Sequence, residues 1–330
     1  MSVEHFTSDK DGSLLSLQGL VTEFRTESGI VRGIDGVSYD VKAGECLGVV
    51  GESGSGKSVT VMSALGLLPP TARVTAGHAY FEGQDLIGRS ERAMGRVRGR
   101  DIGLIFQDPM TALNPVLTVG AQIDETLRRH NPGMSRAARR DRIHELMNDV
   151  GIADAAERIT QYPHQFSGGM RQRVMIAIAI ANRPKLIVAD EPTTALDVTI
   201  QAQILDLLLT VQAEVGAALI LVTHDLAVIA EMADRVVVMF GGRVVEQGPV
   251  DAIFHDTRHQ YTRSLLDSLP RIDKKTARLQ ALDGRPELPP TGTVLLDGAP
   301  PAAPAESMVR VGQEHFVARE ADARGGGRHE

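Results

Sequence analysis

The sequence predicts an α/β protein whose core is a mainly parallel sheet. Three short apolar runs, at residues 46–50, 187–189 and 219–222, have the length of buried strands. Strand, helix and strand in this order make a βαβ unit, which is the building block of a parallel sheet. The helix is predicted between the second and third runs, where apolar residues recur at helical spacing on one face: Ile200, Ile204, Leu207, Val211 and Val215.

The remaining elements follow from local pattern. Residues 14–40 alternate short β-type stretches with turn residues at Thr26–Gly29 and Asp35–Gly36, which predicts an antiparallel β-layer. Helical spacing runs from 58 to 68 and should stop at Pro69 and Pro70. Residues 119–162 are rich in Ala, Arg, Glu and Leu and are predicted to be mostly helical.

The composition is that of a folded, soluble protein, with 330 residues, 42% hydrophobic and 23% charged. A net charge of -7 argues against a nucleic-acid binder with a broad basic face. Cys46 is the only cysteine, which excludes an intramolecular disulfide and a four-thiolate iron–sulfur site. Because we find neither a signal peptide nor an apolar run near the ~20 residues that span a bilayer, we expect a cytoplasmic protein, peripheral to any membrane it serves.

A glycine-rich segment follows the first predicted strand and precedes a predicted helix. It fits the pattern G-x-x-x-x-G-K-[ST], whose backbone N–H groups and helix N-terminus hold phosphate groups. Lys57 would reach the β- and γ-phosphates of a nucleotide, and the Ser58 hydroxyl would ligate Mg²⁺. The sequence therefore predicts an ATP-type site formed by Gly51, Ser53, Gly54, Ser55, Gly56, Lys57, Ser58 and Val59.

Two carboxylates, Asp190 and Glu191, end the second predicted strand. The carboxyl ends of strands in a doubly wound sheet form the ligand crevice. We expect Asp190 to hold Mg²⁺ directly or through water. Glu191 should orient the attacking water and accept its proton.

Further segments resemble the motifs of ABC ATPases, in the order that family has them. Residues 166–173 (FSGGMRQR) resemble the signature motif, 194–197 the D-loop, 222–225 the switch histidine and 106–109 the Q-loop. The resemblance covers about residues 14–269. It implies a second, γ-phosphate-gripping site for the nucleotide of an opposite subunit, built from Ser167, Gly168 and Gly169 with Asp197 nearby. It also implies that His224 stabilises the negative charge that develops on the phosphate. Gln107 would act in catalysis and help to hold Mg²⁺.

The family stacks an aromatic residue of its N-terminal β-layer on adenine. Phe24 lies in the matching place, although an aromatic residue on a short strand also packs in many proteins without touching a ligand. The resemblance implies the division of the chain as well. We expect a tail at 1–13, an ABC ATPase domain at 14–270 with a helical subdomain at about 108–183, a C-terminal extension at 271–320 and a disordered tail at 321–330.

Residues 106–115 resemble the Q-loop region of oligopeptide, dipeptide and nickel importers, and residues 259–266 resemble the C-terminal extension of that branch. Met170 supports the same assignment, because most other ABC ATPases have glutamine there. Many members of this branch carry a cysteine cluster in the extension. Here residues 309–318 resemble its end, but Arg319 stands where a cysteine is expected, so no iron–sulfur cluster is expected.

The resemblance implies an ATPase at the cytoplasmic face of the inner membrane, coupling MgATP hydrolysis to peptide uptake. Its partners would be a second ABC ATPase subunit in a head-to-tail heterodimer or homodimer, two transmembrane permease subunits and an extracytoplasmic binding protein, with no nucleic acid. Nickel, opine or sugar cargo stays open. A non-transport ABC ATPase of translation or DNA repair is disfavoured, because the chain has a single cassette without coiled-coil or zinc insertions. A non-hydrolysing regulator is disfavoured by intact Glu191 and His224.

Overall fold

The computed structural model describes residues 12–194, 196–268, 294–295 and 308–318. These parts of the chain form two sheets and a group of helices. The strands are β1 (Leu15–Thr26), β2 (Gly29–Val41), β3 (Cys46–Val50), β4 (Ala72–Phe81), β5 (Gln84–Asp85), β6 (Ile102–Ile105), β7 (Leu186–Asp190), β8 (Ala218–Thr223), β9 (Arg235–Phe240), β10 (Arg243–Pro249), β11 (Val294–Leu295), β12 (Met308–Gly312) and β13 (His315–Ala318). The helices are α1 (Lys57–Ala64), α2 (Glu91–Val97), α3 (Pro109–Ala112), α4 (Val119–His130), α5 (Arg136–Asp149), α6 (Ala155–Arg158), α7 (Gly168–Ile180), α8 (Val198–Val215), α9 (Leu226–Met232), α10 (Val250–His255) and α11 (Gln260–Asp267).

The larger sheet has the strand order β12-β13-β10-β9-β3-β8-β7-β6. From β9 to β6 neighbouring strands are parallel, and from β9 to β12 they are antiparallel. The three predicted strands are confirmed as β3, β7 and β8, with α8 as the predicted crossover helix. Because these strands are parallel, their carboxyl ends lie at one edge of the sheet, where the site is built.

The central strands are buried on both faces and separate two hydrophobic cores. Leu47 and Val49 of β3 belong to the core that contains α1 and the N-terminal sheet. Cys46 and Val50 belong to the core that contains α7, α8 and α9. Side chains alternate between the two faces of a strand, so one five-residue strand supplies both cores, each fully buried Val or Leu contributing about 1.5–3 kcal/mol.

The N-terminal sheet has the order β11-β2-β1-β4-β5 and is antiparallel, as predicted. The turn at Thr26–Gly29 is confirmed by the pairing of those two residues. The turn predicted at Asp35–Gly36 is wrong, because both residues lie inside β2. The register shifts there, and Gly36 has a φ of 76°. Asp35 and Gly36 therefore form a bulge, which has the residue preferences of a turn without reversing the chain.

The helix after β3 ends earlier than the sequence predicted. It covers Lys57–Ala64 rather than 58–68. Gly66 follows with a φ of 63°, a left-handed conformation that commonly ends helices. The helix therefore stops at a glycine, before it reaches Pro69 and Pro70.

Between residues 108 and 183 the described chain contains helices and turns and no strand. Ile123 and Leu127 of α4, Leu146 of α5 and Val174 of α7 are buried in one hydrophobic core, which also covers one face of the large sheet. Helices α4 to α6 occupy the region predicted to be mostly helical. The boundaries of the subdomain at 108–183 stay a prediction.

The C-terminal segments return to the large sheet. Helices α10 and α11 follow β10, and β12 and β13 form a hairpin that pairs with β10. Most of the predicted tail at 1–13 and extension at 271–320, and all of the tail at 321–330, lie outside the described residues. Within the described ranges, every helix is too short or too polar to cross a membrane.

Candidate nucleotide site

The loop that joins β3 to α1 has a conformation that requires glycine. Gly51 has a φ of 152°, and a Cβ there would lie 2.1 Å from the Met239 carbonyl oxygen. Gly56 has a φ of 99°, and its Cβ would lie 2.8 Å from the Gly33 carbonyl oxygen. Glycine is needed at both positions for the dihedral angles and for space. Helix α1 begins directly after Gly56 without a side-chain cap, which leaves its first amides open to an anion.

This loop forms one wall of a cavity of about 570 Å³, a size typical of ligand sites. The other walls come from Gly33, inside β2, and from three residues that follow the ends of β6, β7 and β8: Gln107, Glu191 and His224. The structure therefore brings three distant predicted residues to the predicted phosphate loop. The loop residues that line the cavity are Gly51, Glu52, Ser53, Gly54, Ser55, Gly56, Lys57, Ser58 and Val59.

Lys57 is buried at the base of the loop, with 5% of its surface exposed. Its Nζ donates hydrogen bonds to the carbonyl oxygens of Gly51 at 2.7 Å and Glu52 at 2.9 Å. Burial lowers the pKa of the ammonium, against the opposing effect of the nearby carboxylates Glu191 and Asp190. The two carboxylates and the two carbonyl oxygens stabilise the charged form of Lys57 next to the cavity. A positive charge in this place suits an anionic ligand.

Ser58 and Asp190 present oxygen atoms side by side. The Ser58 hydroxyl donates to Asp190 Oδ1 at 2.8 Å, which links α1 to the end of β7. Burial raises the pKa of Asp190, with the negative charge of Glu191 adding to the effect and the hydrogen bond from Ser58 opposing it. A hydroxyl and a carboxylate that are partly withdrawn from water fit a hard cation such as Mg²⁺, which would also relieve the cost of burying the charge.

Ser55 supplies a further sign that the cavity is built for a polar ligand. Its side chain is 3% exposed and lines the cavity, and its hydroxyl has no hydrogen-bond partner among the described residues. A buried hydroxyl without a partner costs about 1–3 kcal/mol. Phosphate oxygens would satisfy it, so the residues present fit a nucleotide phosphate chain.

Glu191 lies at the centre of a small hydrogen-bond network. Its Oε2 accepts from Gln107 Nε2 at 2.8 Å and from Thr194 Oγ1 at 2.9 Å. Its Oε1 lies 3.4 Å from His224 Nδ1. Glu191 has a φ of 45°, an uncommon conformation for a residue with a side chain, and such strain often occurs at functional sites. The amide of Glu191 donates to the Val222 carbonyl at 2.8 Å, which helps to hold this conformation.

The predicted signature residues lie apart from this cavity. Ser167 is the N-cap of α7, with its side chain accepting from the Met170 amide, and both Ser167 and Gly168 are exposed. Gly169 is half-buried, and a Cβ there would lie 2.7 Å from Ile200 Cγ2. Asp197 is exposed and caps α8 through the Ile200 amide at 3.0 Å. None of these residues is among those that line the cavity.

Phe24 does not line the cavity either, but it lies directly behind its wall. A Cβ on Gly33 would lie 2.6 Å from Phe24 Cε2 and 3.3 Å from Val59 Cγ1. Gly33 therefore lets the aromatic ring approach the loop. Gly33 was not predicted from the sequence, and Thr194 was named only as part of the segment that resembles the D-loop. Thr194 carried a signal, since it lies three residues after Glu191, whereas the role of Gly33 depends on a contact between distant segments.

The parallel sheet, the glycine loop after β3 and the acid pair at the carboxyl end of β7 define a nucleotide-binding ATPase fold. Two family models match the sequence: "ABC transporter" over residues 34–194 and "Oligopeptide/dipeptide transporter, C-terminal region" over residues 245–292. The chain belongs to the ATP-binding proteins of the ABC transporter family, in its oligopeptide/dipeptide branch. It is an ATPase whose hydrolysis is coupled to transport.

Individual relatives support the same assignment. Dipeptide transport ATP-binding protein DppD of Bacillus subtilis (strain 168) is 52% identical over 274 residues, covering 83% of this chain and 82% of that protein. Oligopeptide transport ATP-binding protein OppD of the same strain is 50% identical over 275 residues, covering 83% and 76%. Among solved structures, the ATP-binding cassette MJ0796, a dimer bound to ADP and Pi, aligns with a TM-score of 0.64 at 29% identity, over 72% of this chain and 98% of that one.

Proposed function

We propose that this chain binds MgATP at the loop of residues 51–58 and powers the uptake of di- or oligopeptides as a peripheral subunit at the cytoplasmic face of the inner membrane. The observation that carries the proposal is the convergence of Lys57, Ser58, Glu191, Gln107 and His224 on one cavity. Peptide cargo is favoured because the similar proteins are named as dipeptide and oligopeptide transport proteins.

The phosphate chain of ATP would lie along the loop, where the amides at the start of α1 and the Ser55 hydroxyl face the cavity. Lys57 Nζ has three N–H donors, so it would keep its bond to the Gly51 carbonyl and exchange its bond to the Glu52 carbonyl for charge-assisted bonds to phosphate oxygens. This step uses an amine that is already buried and fixed, so little side-chain entropy is lost when ATP binds. Phe24 behind Gly33 would support the adenine side of the site.

Mg²⁺, when bound, neutralises charge on the transferred phosphoryl group. Ser58 and Asp190 would hold it, with Gln107 as the third candidate. Glu191 would orient a water molecule and accept its proton, in the place where Gln107 and Thr194 now hold its carboxylate. His224 would donate toward the phosphoryl oxygens as their charge grows.

The subunit would work with a second ABC ATPase. Ser167, Gly168 and Gly169 are displaced from their own chain's cavity and surround an exposed N-terminus of α7, a 13-residue helix. In a head-to-tail dimer this N-terminus would cap the nucleotide of the partner, because helix N-termini favour anions. A solved relative is a dimer, which agrees with this arrangement. Two permease subunits and a binding protein would complete the importer.

The test is the ATPase activity of the assembled importer in proteoliposomes, with its binding protein supplied in the lumen. Binding protein loaded with a di- or oligopeptide should stimulate hydrolysis, whereas nickel, an opine or a sugar should not. Glu191→Gln should lower turnover by ~10²–10⁴-fold and leave ATP binding intact, because it keeps the shape of the side chain but removes the proton acceptor. Glu214→Gln removes the same charge from an exposed position on α8 and is the matched control.

Each outcome of this test has a single interpretation. Stimulation by a non-peptide cargo alone would overturn the peptide assignment while leaving the ATPase assignment in place. Normal turnover in Glu191→Gln would overturn the role of Glu191 as the base. An equal loss in Glu214→Gln would show that the effect comes from overall charge.

A further inference from the structure

A tyrosine from the C-terminal part of the chain contacts the phosphate loop. Tyr261 lies on α11, far from the loop in sequence, and is 2% exposed. Its hydroxyl accepts a hydrogen bond from the Glu52 amide at 3.1 Å. Its ring packs on Phe240, at the end of β9, with ring centroids 4.4 Å apart. The ring and the hydroxyl are thus fixed by separate contacts.

The bond from Tyr261 acts on the same peptide that holds Lys57. The peptide between Gly51 and Glu52 donates its N–H to Tyr261 and accepts Lys57 Nζ, at 2.7 Å, on its carbonyl. In a trans peptide these two groups point in opposite directions. Tyr261 and Lys57 therefore hold one peptide plane from its two sides. The plane cannot rotate without breaking both bonds.

The position of Tyr261 is itself set by a buried carboxylate. Glu246 of β10 is fully buried, and it accepts from the amides of Arg258 at 2.8 Å and His259 at 3.2 Å, directly before α11. His259 then caps α11, with its Nδ1 accepting from the Tyr261 amide at 3.1 Å. His315 of the β12–β13 hairpin lies on the other side, with its Nε2 2.8 Å from Glu246 Oε1. Buried polar contacts thus run from the C-terminal hairpin to the phosphate loop.

We propose that Tyr261 is a positioning residue for the nucleotide site: its hydroxyl holds the Gly51–Glu52 peptide in the orientation that presents Lys57 to the phosphate groups. The inference rests on the proposed role of Lys57. The alternative is that Tyr261 only packs, since a buried tyrosine hydroxyl usually has a hydrogen-bond partner whatever its role. The positioning role predicts that removing the hydroxyl weakens ATP binding, and the packing role predicts no change.

Tyr261→Phe in the full-length chain separates them, because it keeps the ring against Phe240 and removes only the hydroxyl. Loss of the hydrogen bond from the Glu52 amide should weaken ATP binding ~3–10-fold as measured by calorimetric titration. Tyr39→Phe is the matched control. Tyr39 is also fully buried, but its hydroxyl has no hydrogen-bond partner among the described residues, so its removal should leave ATP affinity unchanged.

Lys57→Ala, titrated in parallel, distinguishes failure of the inference from failure of the proposed function. If Lys57→Ala loses ATP binding while Tyr261→Phe equals wild type, Tyr261 only packs and the inference is overturned. If Lys57→Ala binds ATP normally, the proposed function fails first. An equal loss in Tyr39→Phe would also overturn the inference, since any buried hydroxyl would then have the same effect.

A second measurement does not depend on how well the variant folds. In the wild-type protein without nucleotide, the Glu52 amide should exchange with deuterated solvent at least ~10-fold more slowly than the neighbouring amides of Ser53 and Gly54, because opening a buried hydrogen bond has a free-energy cost. Both neighbours are exposed. Exchange of Glu52 at the rate of Ser53 would show that Tyr261 does not hold this peptide, and would overturn the inference.

Discussion

Glu246→Gln should destabilise the folded chain more than any surface substitution. The carboxylate of Glu246 is fully buried and has four hydrogen-bond partners among the described residues. Oε1 faces the Arg258 amide and His315 Nε2, each at 2.8 Å. Oε2 faces Thr257 Oγ1 at 3.0 Å and the His259 amide at 3.2 Å. Glutamine keeps one of these oxygens and replaces the other with an NH₂ group.

The size of the loss in stability depends on which hydrogen-bond donors can become acceptors for the new NH₂ group. The Thr257 hydroxyl can rotate and His315 can change tautomer, so each can accept from the new NH₂ group. A backbone amide cannot, so in either orientation of the glutamine one of the amides of Arg258 and His259 loses its partner. An unsatisfied buried amide costs about 1–3 kcal/mol, and the bonds that stay lose their charge assistance. We expect a destabilisation of about 2–4 kcal/mol.

Urea unfolding of the full-length chain measures this loss through the shift of its midpoint. Glu231→Gln, on an exposed position of α9, is the matched control and should change stability by less than about 0.5 kcal/mol. A difference between Glu246→Gln and wild type below about 1 kcal/mol would refute the reasoning, because it would mean that the amides of Arg258 and His259 do not depend on the carboxylate.

The effect should depend on pH in a stated direction. Burial alone raises the pKa of Glu246, but its hydrogen bonds, with that to His315 contributing most, outweigh burial and hold the pKa below its usual value. A carboxyl with a lowered folded pKa contributes stability that is fully present above its unfolded pKa and lost as the pH falls through its folded pKa. The difference between wild type and Glu246→Gln should therefore be constant near neutral pH and shrink below pH ~4.3.

Two further substitutions test the nucleotide site. Lys57→Ala should raise the Kd for ATP by at least ~10²-fold, because it removes charge-assisted bonds to phosphate. Lys185→Ala is the control and should leave the Kd unchanged, because Lys185 is an exposed lysine paired with Glu82. Calorimetric titration measures both, and wild-type affinity in Lys57→Ala would contradict the assignment. Ser167→Arg should block hydrolysis at the partner's nucleotide and leave ATP binding to its own loop intact, as measured by turnover at each site in a mixed dimer. Ser135→Arg, at the exposed N-cap of α5, is its control. If Ser167→Arg loses its own nucleotide while the partner's site turns over normally, the head-to-tail dimer is wrong.

Local signals made much of the fold and of the candidate site predictable from sequence. The phosphate loop depends on glycine at fixed offsets between a strand and a helix. Asp190 and Glu191 follow an apolar run directly, so their place at the carboxyl edge needed only the α/β fold class. Glu191 was therefore assigned without knowledge of any tertiary contact.

The features that sequence reasoning missed depend on contacts between distant segments. Asp35–Gly36 has the composition of a turn, and only its pairing with β1 makes it a bulge. Gly33 is required because Phe24 packs against it. The hydrogen bond from Glu52 to Tyr261 joins residues 209 positions apart. No local pattern in the sequence indicates which buried tyrosine contacts the loop and which, like Tyr39, does not.

Strand order explains why Glu191 is the meeting point of the site. Its strand β7 lies between β8 and β6. The residue after β8 is His224 and the Q-loop residue after β6 is Gln107, so both strands that flank β7 deliver a side chain to the Glu191 carboxylate. The phosphate loop follows β3, on the far side of β8, and reaches β7 through the bond from Ser58 to Asp190. With strands about 4.8 Å apart, a γ-phosphate beside Ser58 would lie next to Glu191 without any rearrangement of the sheet. Movements of Gln107 and His224 can therefore shift the Glu191 carboxylate while the phosphate loop stays fixed.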